Sequence, residues 1–135
     1  MPVGYSSRSL AEKLGLKSGM NVYFGDLPPS VKPILKLPDG VNVLTALLRD
    51  PADLIHFFST RKRELAKQFP LLKSALGPDG MLWISWPKRA AKMETDLDEN
   101  SVRKIGLANG LVDVKVISVD DVWSGLKFVY RVKDR

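Results

Sequence analysis

Aromatic and basic side chains follow closely after an apolar segment in the second half of the chain. Residues 81–84 are all apolar, and Trp86, Lys88 and Arg89 come soon after them. Such a run is typical of a strand buried on both faces of a parallel sheet. Open α/β sheets bind ligands just beyond the carboxyl ends of their strands. An indole beside two cations at that place predicts a binding site for an anionic ligand.

Further candidates follow other predicted strands, because the segments after parallel strands emerge at one edge of the sheet. They are Trp123, Ser124, Arg61 and Arg63. Thr95 and Asp96 are further candidates, because Asp96 begins a predicted helix whose exit strand returns to the same sheet. The two arginines occupy the first turn of a predicted helix, where the helix dipole disfavours each cation by ~0.3–1 kcal/mol. That placement predicts an anion site shared with Lys88 and Arg89. The alternative is that the arginines are solvated charges of an exposed turn, and both tryptophans fit either a lid or simple packing.

Alternating strands and helices are needed to bring these residues together. The predicted strands are Met20–Phe24, Leu54–Phe58, a segment beginning at Met81, Val112–Val119 and Leu126–Val132. The last two are joined by a short turn and predict an antiparallel hairpin. The pattern indicates an α/β fold, a Rossmann-like three-layer sandwich with a mainly parallel sheet and a C-terminal antiparallel hairpin.

Capping and turn residues indicate where the helices begin and end. The predicted helices run from Ser9, with Glu12 completing a capping box, to Gly15; from Pro29 to Lys36; from Thr60 to Leu76 with a kink or break at Pro70; and from Asp96 and Glu99 as caps to Gly110. Gly77–Gly80 is predicted to be a turn. Val41–Leu48 is ambiguous, because only about four residues separate it from the next strand and a parallel crossover needs a dozen or more.

Composition limits the classes of function. The chain has 135 residues, which predicts one domain over residues 1–135, and it has no cysteine, which excludes disulfides and thiolate metal sites. The only histidine, His56, lies in an apolar run and is predicted to be a packed residue. Neither a phosphate-binding loop nor a nucleophile elbow occurs. Without a signal peptide or a membrane-spanning run, a cytoplasmic location is expected.

Several segments resemble a family of small bacterial proteins known as a domain of unknown function. The resemblance rests on WISWPK, TDL, GLVDVKV and WSGLK, and it implies no activity. More distantly, LGPDGMLWISW and the final hairpin are similar to the class I S-adenosylmethionine-dependent methyltransferase fold. That fold implies a glycine-rich cofactor turn after the first strand, where Gly25 and Asp26 are the weak candidates, and a carboxylate after the second strand, for which Asp50 is one candidate. The turn has one glycine and two prolines, so S-adenosylmethionine is a cofactor whose glycine-rich loop is absent here.

Three functions remain open on the sequence. The leading hypothesis is a non-catalytic binding or regulatory module for an anionic small molecule or protein partner, since the net charge is +6. The alternative is a small S-adenosylmethionine- or nucleotide-dependent enzyme, methyltransferase-like. The third is a nucleic-acid binder, which interleaved acidic residues make unfavourable. No membrane partner is expected, and the chain fits either a monomer or a homodimer.

Overall fold

Six strands and four helices position the candidate residues. The computed structural model describes residues 8–47 and 51–135. The strands are β1 (Asn21–Gly25), β2 (Asn42–Val43), β3 (Ala52–Phe58), β4 (Leu76–Pro87), β5 (Leu111–Ser118) and β6 (Trp123–Tyr130). The helices are α1 (Leu10–Leu14), α2 (Lys32–Leu35), α3 (Lys62–Ala75) and α4 (Glu99–Ala108), and short 3-10 turns lie at Arg89–Ala91 and Val132–Asp134.

One mixed sheet has the strand order β2-β1-β3-β4-β6-β5. Strands β2, β1, β3 and β4 are parallel, whereas β6 is antiparallel to both β4 and β5. Because two antiparallel steps separate β5 from β4, these two strands run in the same direction. The turn after β5 therefore lies at the carboxyl edge of the sheet, as the end of β4 does. The Rossmann-like fold with a mainly parallel sheet and an antiparallel hairpin is confirmed.

Alternate residues of the central strands enter two different hydrophobic cores. On β3, Ile55 and Phe57 pack with α3 and α4, while Leu54 and Phe58 pack with α1 and the α2 region. Both faces of the sheet are thus covered by helices, which explains the nearly continuous apolar runs in β3 and β4. On one face α4 packs very closely, since a Cβ on Gly106 would lie only 2.0 Å from the ring of Phe128.

The first helix begins and ends as predicted. The Ser9 hydroxyl accepts a hydrogen bond from the Glu12 backbone N–H, and the Glu12 carboxylate accepts one from the Ser9 N–H in return. Gly15 follows α1 with φ of 86°, a conformation that glycine adopts without strain. These signals act within a few residues, so they are readable from the sequence.

The described part of the ambiguous segment, residues 41–47, contributes a two-residue edge strand, β2. Asn42 and Val43 pair with Asn21 and Val22 of β1, and β3 pairs with the other side of β1. The connection between β2 and β3 is too short for a crossover between neighbouring parallel strands, but no such crossover is needed, because β1 lies between these two strands in the sheet. Residues 48–50, which include the candidate Asp50, lie outside the described residues.

Two details of the sequence-based elements need correction. Helix α3 continues through Pro70 as one helix, so the alternative of two abutting segments was wrong, and a kink there stays a prediction. Residues 77–80 are not a simple turn, because β4 already pairs with Ala52 at Leu76 and its register then shifts before Met81. No helix in residues 8–47 and 51–135 is long and apolar enough to cross a membrane.

Candidate functional site

A cleft of about 650 Å³ opens at the carboxyl end of β4, and we call it the β4 cleft. Its walls come from the end of β4, the segment between the 3-10 turn and α4, the first turn of α4 and the start of β6. The lining residues are Trp86, Pro87, Lys88, Arg89, Met93, Thr95, Asp96, Leu97, Asp98, Glu99, Asn100 and Ser124.

Six predicted site residues line this cleft together. They are Trp86, Lys88, Arg89, Thr95, Asp96 and Ser124. Register explains part of this arrangement, because Trp86 of β4 lies opposite Ser124 of β6. Trp86 is only 5% exposed, so it belongs mainly to the wall of the cleft.

The remaining candidates lie elsewhere. Trp123 is 7% exposed and packs edge-on against Phe58, with ring centroids 5.3 Å apart. Arg63 lines a separate groove between α3 and α4, and Arg61 lines neither depression. The structure therefore does not place the two arginines with Lys88 and Arg89 in one cleft, and a ligand shared by all four stays a prediction.

Hydrogen bonds to the end of β3 hold the segment before α4 in place. The Thr95 hydroxyl donates to the Thr60 carbonyl at 2.7 Å, and Oδ1 of Asp96 accepts from the Lys62 backbone N–H at 2.7 Å. Asp96 thus caps the start of α3, whose own N-cap residue Arg61 makes no side-chain capping bond. The prediction that Asp96 and Glu99 cap the following helix was wrong.

Asp98 is the N-cap of α4 and one of six cleft residues that were not predicted as site residues from the sequence; the others are Pro87, Met93, Leu97, Glu99 and Asn100. Its Oδ1 accepts from the Ser101 backbone N–H at 2.7 Å, and its own N–H donates to the Ser101 hydroxyl at 2.9 Å. The spacing Asp98-x-x-Ser101 is itself a capping pattern and could have predicted this N-cap. The overlapping pattern Asp96-x-x-Glu99 was interpreted as the cap instead. The Ser101 N–H, then its hydroxyl, lower the pKa of the Asp98 carboxyl, with smaller contributions from Lys62 and Arg89.

The cleft presents charges of both signs. Nζ of Lys88 donates to the Ser118 hydroxyl at 2.6 Å, and the Lys88 backbone N–H donates to the Val122 carbonyl at 2.6 Å. These bonds fix Lys88 against the β5–β6 turn. Glu99, which also lines the cleft, forms an ion pair with Arg103 at 2.6 Å. A ligand in the cleft would therefore meet both cationic side chains and carboxylates.

Asp96→Ala is expected to lower the free energy of unfolding by about 0.5–2 kcal/mol, the usual cost of losing a capping side chain. Asp96→Asn keeps an acceptor for the Lys62 N–H and should lose less. Urea unfolding followed by circular dichroism measures both changes, with Asp121→Ala in the exposed turn as the control. Equal stability of Asp96→Ala and the wild type would contradict the capping role.

The end of β1 has a different geometry from a ligand cradle. Gly25 is buried, and a Cβ at this position would lie 2.5 Å from Cδ1 of Phe57. The glycine therefore makes room for an aromatic ring of the same protein. Asp26 has φ of 56° and is exposed, and Pro28 and Pro29 have no N–H to donate.

His56 lies two residues before the carboxyl end of β3 and is fully buried. Its Nε2 is 2.7 Å from the Ser85 hydroxyl, and its ring stacks on Phe58 with centroids 4.1 Å apart. Nδ1 has no hydrogen-bond partner among the residues that the structure describes. Burial lowers the pKa of His56 to about 3, so the ring is neutral at physiological pH. This is the packed residue that its apolar surroundings predicted.

No protein family and no curated protein matches the sequence. Solved structures do match it. Magnesium protoporphyrin IX methyltransferase from Synechocystis PCC 6803, with bound S-adenosylmethionine, is 15% identical, with 90% of this chain and 74% of that chain covered and a TM-score of 0.58. A methyltransferase from Aquifex aeolicus that depends on S-adenosylmethionine is 19% identical over 88% and 86% of the two chains, with a TM-score of 0.59. A TehB-like methyltransferase from Corynebacterium glutamicum is 14% identical over 95% and 90%, with a TM-score of 0.58.

These matches correct the leading hypothesis. A non-catalytic binding or regulatory module was wrong as the first choice, because the similar structures are methyltransferases and favour the enzyme alternative. The resemblance to the family of unknown function gains no support, since no family matches. The more distant resemblance is confirmed at the level of structure: this chain has the fold of class I S-adenosylmethionine-dependent methyltransferases.

Proposed function

We propose that this protein is a small methyltransferase-like enzyme that depends on S-adenosylmethionine or another nucleotide and binds its ligand in the β4 cleft. The observation that carries the proposal is the position of this cleft. It lies beyond the carboxyl end of β4 in a mainly parallel sheet, which is where open α/β folds bind their ligands.

The residues of the cleft suit a ligand that carries both an anionic group and hydrogen-bond donors. Lys88 and Arg89 line the cleft and carry the cationic donors that would bind a phosphate or carboxylate; in this structure Nζ of Lys88 donates to the Ser118 hydroxyl. The carboxylates of Asp98 and Glu99, which also line the cleft, would accept hydrogen bonds from hydroxyl or amino groups. Nucleotides and S-adenosylmethionine carry groups of both kinds.

The end of β1 does not fit a glycine-loop cofactor cradle. Phe57 fills the space beside Gly25, and the two prolines remove backbone donors. For this reason we assign no step of a reaction to Gly25 or Asp26. The proposed ligand site instead depends on Lys88 and Arg89 after β4. It does not use a glycine-rich loop after β1.

Titration calorimetry with S-adenosylmethionine, S-adenosylhomocysteine and adenosine mono- and triphosphate tests this proposal. At least one of these compounds is expected to bind. Lys88→Ala and Arg89→Ala should each weaken that binding by about 10-fold or more, because a hydrogen bond to a charged group contributes about 1.5–3 kcal/mol.

Two controls locate the ligand. Lys133→Ala removes an exposed charge near the chain end and should leave the dissociation constant unchanged, as should Asp26→Ala. Loss of binding in Asp26→Ala but not in Lys88→Ala would place the ligand at β1 and contradict the proposal. The absence of binding of all four compounds at millimolar concentration would also contradict it.

A further inference from the structure

A second depression lies on the outer surface of the helix layer, between α3 and α4. We call it the α3–α4 groove. It has a volume of about 350 Å³ and is lined by Lys62, Arg63 and Ala66 of α3 and by Ser101, Lys104 and Ile105 of α4. Three cations therefore surround a floor made by Ala66 and the half-buried Ile105. None of these residues lines the β4 cleft.

The three cations are exposed and form no close ion pair. Between the described residues, ion pairs of 4.0 Å or less involve only Arg103 and Arg131 as the basic partners. Glu64, in the first turn of α3, does not line the groove and forms no ion pair of 4.0 Å or less with another described residue. Two acidic residues before α4 already have other partners. Asp96 accepts from the Lys62 backbone N–H, and Asp98 is bound to Ser101, although it is also influenced by the charge of Lys62. The rim of the groove thus remains positively charged.

Lys62 and Arg63 also oppose the local preference of their helix. They are in the first turn of α3, where the helix dipole favours acidic side chains and disfavours basic ones. Basic residues that lie in a first helical turn against this preference, and that form no close ion pair, are commonly placed there for function. Charge reversal at these positions should therefore not harm folding, which makes the groove easy to test.

We propose that the α3–α4 groove docks an acidic segment of a partner protein. Glutamate or aspartate side chains of that segment pair with Lys62, Arg63 and Lys104, while an apolar side chain lies on Ala66 and Ile105. Charge complementarity and an apolar floor are the features by which helix-lined grooves bind amphipathic segments. A phosphate chain has no apolar side chain to place on Ala66 and Ile105, whereas an amphipathic acidic segment does, so the apolar floor favours the peptide over a nucleic-acid backbone.

Fluorescence anisotropy with a labelled model peptide tests the proposal. The probe is a short amphipathic helical peptide with leucines on one face and glutamates on both flanks, and its control carries lysine at every glutamate. The acidic peptide is expected to bind with a micromolar dissociation constant and to bind more weakly as salt is added. The triple variant K62E/R63E/K104E should weaken binding by about tenfold or more.

Matched variants separate the groove from the overall charge. K17E/K32E/K133E reverses three exposed lysines elsewhere and should retain binding, as should the Lys88→Ala and Arg89→Ala variants of the β4 cleft. Ala66→Glu blocks the floor and should weaken binding. Equal loss in both triple variants would overturn the proposal, as would no peptide binding at millimolar concentration. Displacement of the peptide by pyrophosphate, or tighter groove-dependent binding of a mixed-sequence oligonucleotide, would overturn it as well.

Discussion

Trp83→Ala is expected to lower the free energy of unfolding by about 3–5 kcal/mol, the range for removing a large aromatic side chain from a core. Trp83 is fully buried in the core between the sheet and α1. Its Nε1–H donates to the Leu14 carbonyl at 3.0 Å and so ties β4 to the end of α1. The alanine variant loses this bond, the packing of the indole and the support of Lys127, whose Nζ lies 5.8 Å from the ring centroid.

Urea unfolding followed by far-ultraviolet circular dichroism measures this effect without depending on the removed fluorophore. Trp83→Phe is the matched variant, because it keeps an aromatic ring but loses the donor. It should cost about 1–3 kcal/mol and thus less than Trp83→Ala. A free energy of unfolding within about 1 kcal/mol of the wild type for Trp83→Ala would show that the core adapts to the loss.

Acidification from pH 6.5 towards 3 is expected to destabilise the protein through its only histidine. Burial lowers the pKa of His56 to about 3 in the folded protein, whereas an unfolded chain has a pKa near 6.5. Between these two pKa values, His56 is mostly protonated in the unfolded chain and mostly neutral in the folded protein. The free energy of unfolding falls with decreasing pH, by at most about 1.4 kcal/mol per pH unit, until the folded pKa is reached.

The surroundings of the His56 ring explain why the folded protein disfavours its protonation. Ser85 contacts Nε2 of His56, and no described residue pairs with Nδ1, so the imidazolium would carry a buried N–H without an acceptor from residues 8–47 and 51–135. His56→Gln removes the titrating group while keeping a polar side chain opposite Ser85, and it should remove most of the stability change between pH 6.5 and 5, where carboxylates with ordinary pKa values near 4 are still mostly ionised. The ring proton signals of His56 should stay unshifted over that interval. A midpoint near pH 6 in those signals would contradict the buried neutral state.

Sequence patterns predicted the fold well wherever the signal is local. The capping box of Ser9 and Glu12, the glycine after α1 and the antiparallel pairing of the last two strands are all confirmed. Each depends on residues close together in the chain. The same logic brought Trp86, Lys88 and Ser124 to one edge, because the direction of a strand decides where the following residue emerges.

The sequence by itself therefore determined the layers, the direction of the strands and the edge at which the β4 cleft forms. Only the tertiary structure decided that Asp96 caps α3 rather than α4, and that Arg63 belongs to a groove separate from Lys88. It also decided that His56 meets Ser85, which lies 29 residues away in the chain. These outcomes depend on which elements become neighbours in space, and that is settled by the packing of the whole core, which no short window of sequence contains.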